Sequence, residues 1–186
     1  MIPYSDAWHT LIREGQNPLA FSIAREFAIT AHGDQTYGDA QEPYIIHLDE
    51  VAAIVAEFMG KFSVKHRICA ILHDVVEDTP VTVEYIRAWH GDDIADTVER
   101  VSNKPGVNRA ARHLVTYPGI RAKDDALMIK LADRLAHTRR GESKIGMYRK
   151  EYPAFRTALW RNDSSDTVLR MWEELDRLNA LPFPVV

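Results

Sequence analysis

The sequence predicts an all-α protein, and three observations carry that expectation. Apolar residues recur at intervals of three and four along most of the chain, which is the period of a helix face. The breaks between those runs hold Pro, Gly, Ser, Thr and Asn at positions where helices start and stop. No stretch of alternating apolar and polar residues is long enough to build a sheet.

Each element follows in order. Asn17 and Pro18 supply an N-cap and a first-turn proline, and Leu19, Ile23, Phe27 and Ala31 carry a first helix to about His32. Residues 33–46, punctuated by glycine and proline, read as a loop. A second helix bears Val51, Ile54, Val55 and Phe58 and stops near Gly60, and Ser63 caps a third that runs to just before Pro80. Thr82 caps a short fourth; Gly91, Asp92 and Asp93 restart the chain into a fifth around Ile94, Val98 and Val101. Residues 103–123 contain Pro105, Gly106, Pro118 and Gly119 and are expected to order only partly, around a substrate. Asp124 opens a long helix to about Arg140 with Leu127, Leu131 and Leu135 on one side, and Gly141 ends it. Pro153 reads as the first-turn residue of a further helix. Ser164 or Ser165 caps a last amphipathic one with Val168, Met171, Trp172, Leu175 and Leu178, which either closes the core or forms a homodimer seam. Residues 181–186 read as extended. With no internal repeat or linker, residues 1–186 are expected to form a single domain of about eight or more helices.

Composition narrows the function classes. The chain has 186 residues, 46% hydrophobic and 27% charged, which suits one sizeable core. A net charge of −4 argues against general nucleic-acid binding, which needs a strongly basic face. The single cysteine, Cys69, excludes an internal disulfide framework and sits in an apolar run as packing. No charged start precedes an apolar stretch, and no run reaches the roughly 20 apolar residues of a membrane span. A cytoplasmic protein with no membrane partner is the simplest expectation.

The chemistry concentrates in residues 72–79, Leu-His-Asp-Val-Val-Glu-Asp-Thr. His73 and Asp74 offer an imidazole and a carboxylate from one turn, and Glu77 and Asp78 return two carboxylates to the same face four residues on. The cluster follows the apolar run from Ile68 to Leu72, so it faces a pocket rather than solvent, and mixed imidazole and carboxylate sets suit a divalent metal. A metal needs more ligands than one turn supplies. His47 follows Glu42-Pro43-Tyr44 at the start of a helix, and Asp133 lies between Leu131 and Leu135 at the edge of a buried stripe. Read alone, a histidine such as His47 more often caps or packs than binds a metal, and Asp133 could pair with Lys130 at i, i+3.

The ordered set EPYIIH (42–47), ILHDVVEDT (71–79) and KLADRL (130–135) resembles the HD-domain hydrolases of the RelA/SpoT family, in particular the small single-domain alarmone hydrolases. The resemblance runs from about Ala20 to about Arg140. It implies an all-helical HD-domain bundle that binds one Mn2+, other divalent metals being possible, and removes the 3′-pyrophosphate from guanosine tetra- or pentaphosphate. It makes His47, His73, Asp74 and Asp133 the metal ligands and assigns Glu77 and Asp78, as a pair, to orienting and deprotonating the attacking water.

A polyanionic nucleotide asks for cations and flat surfaces near that centre. Lys130 shares a face with Asp133, whereas Arg134 points about 100° away and either touches phosphate or supports the acids; Arg139 and Arg140 end the same helix. Lys104 resembles the family's lysine after the metal helix, or is a solvated loop residue. Tyr44 stacks on a base or fills the core. His137, four residues beyond Asp133, faces the same pocket or competes as a ligand.

The chain also departs from the family. Tyr37 stands where the family has an arginine beside the purine or ribose, the 38–41 loop is one residue longer and lacks a serine, and Ala136-His137 replaces His-Asn. These changes surround the substrate and spare the metal set. They keep two alternatives open: a phosphohydrolase of another nucleotide, such as the 2′-phosphate of NADPH or an adenosine alarmone, and a non-catalytic nucleotide-binding module.

Overall fold

A computed structural model describes residues 18–60 and 63–180, so the Asn17 cap and the extended 181–186 tail lie outside the described residues. The architecture is all-α apart from one two-stranded hairpin, β1 (Thr36–Tyr37) and β2 (Glu42–Pro43), antiparallel with Thr36 opposite Pro43 and Tyr37 opposite Glu42. That hairpin corrects the reading of 33–46 as loop alone. Two residues per strand leave no alternation to detect.

Helix α1 (Pro18–His32) is amphipathic, but its buried face is Ala20, Ala24 and Ala28, while Leu19 is 56% exposed. The expected stripe of Leu19, Ile23, Phe27 and Ala31 is therefore displaced by one residue. The alanines lie against α3 (Val64–Leu72), because small side chains let two helix backbones approach closely. Helix α2 (Ile45–Met59) buries His47, Leu48, Val51, Ala52, Ile54 and Val55 and ends at Gly60 with φ +88°.

The expected third helix is interrupted. α3 stops at Leu72, Asp74 adopts φ −99° and ψ −7°, and a one-turn α4 (Val75–Asp78) follows. The Ala70 carbonyl accepts the His73 imidazole N–H at 2.7 Å, and the chain re-forms around the Asp74 carbonyl, which takes the amides of Glu77 and Asp78. Thr82 caps α5 (Val83–His90) by accepting from the Tyr85 amide, and α6 (Asp92–Val101) follows Gly91.

Two prolines lie inside helices, against their local preference. Residues 103–123 hold an ordered helix, α7 (Arg109–Arg121), capped by Asn108 on the Ala111 amide, with Pro118 inside it. Burial of Thr116, Tyr117 and Ile120 outweighs the bond that Pro118 forfeits. Likewise Pro153 lies in the middle of α9 (Ile145–Leu159), which starts two turns earlier than expected and is held by Tyr148, Tyr152, Phe155 and Leu159. Helix α8 (Asp124–Arg140) crosses the core, buried on nearly every side, and Gly141 caps it at φ +67°. Finally α10 (Asp166–Ala180) seats Val168, Met171, Trp172 and Leu175 against α8 and α2, so this stripe closes the core.

Candidate active site

Four elements deliver the metal-type residues to one point. His47 comes from the first turn of α2, His73 and Asp74 from the break between α3 and α4, and Asp133 from the middle of α8. One ligand atom from each of His47, His73 and Asp133 lies within 4.8 Å of the others. Asp74 Oδ2 lies 3.0 Å from His73 Nε2 and 3.7 Å from His47 Nε2, and Asp133 Oδ1 lies 3.4 Å from His47 Nε2. Both imidazoles are buried.

The donor chemistry fits a divalent cation. With Nδ1 of His73 donating to the Ala70 carbonyl, Nε2 turns its lone pair inward and has no hydrogen-bond donor of its own to satisfy it. Two imidazole lone pairs and two carboxylates converging in a buried space require positive charge between them. Without a cation, protons supply it: burial would lower His73, but Asp74 overrides burial and lifts it to about 9. Burial would raise both carboxylates, yet His73 holds Asp74 and Lys130 holds Asp133 below the usual range. A divalent ion replaces those protons with the same sign of charge.

The surrounding shell orients these groups. Tyr44 donates its hydroxyl to Asp74 Oδ2 at 2.6 Å and stacks on His32 at 4.6 Å, so it touches the metal set rather than only filling the core. Lys130 donates to Asp133 Oδ2 at 2.8 Å, leaving Oδ1 for the imidazole side. His137 reaches Asp133 Oδ1 at 3.2 Å through Nε2, lies 3.1 Å from the Tyr37 hydroxyl through Nδ1, and stacks on His47 and Tyr148. It therefore faces the same site.

The carboxylate pair is held asymmetrically. Glu77 accepts from the Asn103 amide at 2.9 Å and from Asn103 Nδ2, with Arg112 3.6 Å away. Asp78 accepts from Gln35 Nε2 at 2.8 Å, and Gln35 is in turn bound by His32 Nδ1. Both acids line a cavity of about 680 Å³ together with Asp74, Asp133, Tyr37, Tyr44, Lys130, Arg134, His137 and Arg140. Arg140 lies 4.9 Å from the Tyr37 ring centroid and is paired with Glu42, Glu50 and Glu142. Lys104 is not brought to this cavity: its ammonium binds the Glu99 carbonyl at 3.2 Å.

Sequence reasoning passed over Gln35, Asn103, Arg109, Lys144 and Tyr148, all of which line the cavity. Asn103 and Arg109 fell in the stretch read as partly ordered, and a helix-capping Asn108 was the available sign that Arg109 heads a helix.

The class of protein follows from this fold and site. Residues 24–150 match the HD domain family, and the chain belongs to it. Among curated relatives, the bifunctional (p)ppGpp synthase/hydrolase SpoT of Escherichia coli K12 is 41% identical over 83 residues, covering 45% of this chain and 11% of that protein. The guanosine-3′,5′-bis(diphosphate) 3′-pyrophosphohydrolase MESH1 of Xenopus tropicalis is 34% identical over 120 residues, covering 62% of this chain and 66% of that protein. The chain thus matches only about a tenth of the length of the first of these, and a longer part of the second. A solved structure described as a metazoan ortholog of SpoT that hydrolyses ppGpp superposes with a TM-score of 0.74 at 20% identity, covering 89% of this chain and 98% of that one; at this identity the likeness speaks for the fold.

Proposed function

We propose that this chain is a metal-dependent hydrolase that removes the 3′-pyrophosphate from guanosine tetra- or pentaphosphate. The observation that carries the reading is the convergence of His47 and His73 on Asp74 and Asp133, two carboxylates that line one cavity with Glu77, Asp78, Lys130, Arg134 and Arg140. The activities for which the SpoT and MESH1 relatives are named support it.

Mn2+ is the cation we propose, held by His47, His73, Asp74 and Asp133. A divalent ion there supplies Lewis-acid charge that makes water more acidic and draws electron density from phosphorus. Glu77 and Asp78 together orient the attacking water and accept its proton, a role typically contributing about 10²- to 10⁴-fold. The water oxygen forms a bond to the phosphorus next to the 3′-oxygen, the bond from that phosphorus to the 3′-oxygen breaks, and the 3′-oxygen takes up a proton. The products are the guanosine 5′-phosphate species and pyrophosphate. Tyr37, with Arg140 against its ring, offers the flat surface for the nucleoside.

Protein stripped of metal is the starting point of the test, with Mn2+ restored and products separated by chromatography. Guanosine tetraphosphate is assayed beside NADPH and adenosine analogues. Release of guanosine diphosphate and pyrophosphate only with Mn2+ supports the reading; turnover of another nucleotide alone would replace it with a related phosphohydrolase. The Tyr37–His137 contact favours keeping that second substrate class, since both residues differ from the RelA/SpoT pattern where the nucleoside sits.

A further inference from the structure

Beyond Lys130, the cavity wall carries a second group of cations. Arg109, from the first turn of α7, bonds Glu151 on α9 at 2.9 Å, and Arg134, from α8, lies 3.7 Å from the other oxygen of the same carboxylate. Both guanidinium groups approach the Tyr148 ring, at 5.6 and 4.7 Å from its centroid. Arg134 is only 3% exposed, and its Nη1 is buried without a hydrogen-bond acceptor. A buried guanidinium nitrogen without an acceptor is costly, and here it belongs to a residue of the cavity wall.

Charge counting makes the imbalance plain. Lys130 bonds Asp133 and lies in the field of Asp74, whereas Arg109 and Arg134 share the single carboxylate of Glu151. The field is felt nearby: burial lowers His113 to about 4, and Arg109, Lys130 and Arg134 push it the same way.

We infer that Arg109, Arg134 and Lys130 form an anion subsite for the departing pyrophosphate, in which Glu151 is a counter-ion that the phosphate displaces. The inference rests on the proposed pyrophosphohydrolase activity for the identity of its ligand. Position supports the assignment. His137, which carries the Tyr37 hydroxyl on Nδ1, lies 3.2 Å from Asp133 Oδ1, Lys130 bonds Oδ2, and Lys130, Arg134 and Arg109 line the same cavity. With a nucleoside on Tyr37, its 3′-phosphates would share the cavity with these cations. Guanidinium forks suit a diphosphate, which offers paired oxygens.

The test reads a sign. Binding of inorganic pyrophosphate to the Mn2+-loaded protein is measured by calorimetry for the wild type, Arg109→Gln and Glu151→Gln, with a thermal melt of each. Loss of one charge-assisted contact weakens pyrophosphate about tenfold in Arg109→Gln, whereas removing the competing carboxylate tightens it severalfold in Glu151→Gln. A structural ion-pair network gives the opposite pattern: both variants melt earlier and neither tightens pyrophosphate, which would overturn the subsite. Should Arg109→Gln fail to fold, Arg109→Lys keeps the charge but loses the fork, and unchanged pyrophosphate binding there together with no tightening in Glu151→Gln overturns it equally. The expected pair of signs in a protein that does not cleave guanosine tetraphosphate leaves the subsite standing and removes the alarmone reading instead.

Discussion

The Tyr44 hydroxyl donates at 2.6 Å to Asp74 Oδ2, the same oxygen that lies 3.0 Å from His73 Nε2. One phenol thus fixes the rotamer of a carboxylate proposed as a metal ligand, and burial together with Asp74 raises the Tyr44 pKa far above its usual range, so it stays a donor. Tyr44→Phe is expected to weaken Mn2+ binding about 10-fold, within the range of outer-shell losses at metal sites. Manganese titration followed by electron paramagnetic resonance checks it, and wild-type affinity would show that Asp74 needs no such support.

Asp133, a proposed metal ligand, also neutralises Lys130, whose side chain is only 13% exposed. Asp133→Ala should abolish turnover. It should also destabilise the metal-free protein by about 3 kcal/mol, because a largely buried ammonium loses its partner. Urea unfolding in the presence of a chelator separates the two effects. An Asp133→Ala variant as stable as the wild type would mean that Lys130 finds another acceptor.

Asn103 holds both oxygens of Glu77. Its side-chain share is removed in Asn103→Ala while the backbone bond stays, so the carboxylate swings more freely without being lost. A fall in kcat of about tenfold with KM nearly unchanged is expected, since the contact orients a group that acts on water rather than on substrate. Steady-state kinetics decide it; a rise in KM alone would place Asn103 on the substrate.

His90 makes stability depend on pH away from the site. Burial against Phe27 lowers it to about 4 from an ordinary 6.5, and it is only 7% exposed. The unfolded chain therefore binds a proton between those values that the folded one refuses, and stability falls as pH drops from about 6.5 toward about 4. The full loss is on the order of 3 kcal/mol. His90→Leu should flatten that part of the curve in denaturant titrations at several pH values; an unchanged slope would assign it to other groups.

Part of this site was legible in the residues because His73-Asp74 and Glu77-Asp78 sit four residues apart, one helical turn. His47 and Asp133 were legible as partners of that cluster only through the family resemblance; Asp74, Glu77, Asp78 and Asp133 line one cavity, and His47 and His73 lie within 4.8 Å of Asp133. What could not be read was set by contacts distant in sequence. Pro118 reads as part of a partly ordered stretch and Pro153 as the start of a helix, yet Ile120 and Phe155 carry both prolines inside helices that pack into the core. The burial of Ala20, Ala24 and Ala28 in place of Leu19 depends on how near α3 approaches. Arg109 reaches the cavity only because α7 is a helix, whereas Lys104, which looked better placed, turns back to Glu99.

Helix α8 alone presents Lys130, Asp133, Arg134, His137 and Arg140 to the cavity. It works as a graduated ruler: one residue inserted near its start would turn every later position by about 100° and take all five out of register together. Such a site cannot drift by insertion or deletion within that helix. New substrate preferences have to be written instead into the hairpin and the first turns of α7 and α9, where a changed length leaves the ruler intact.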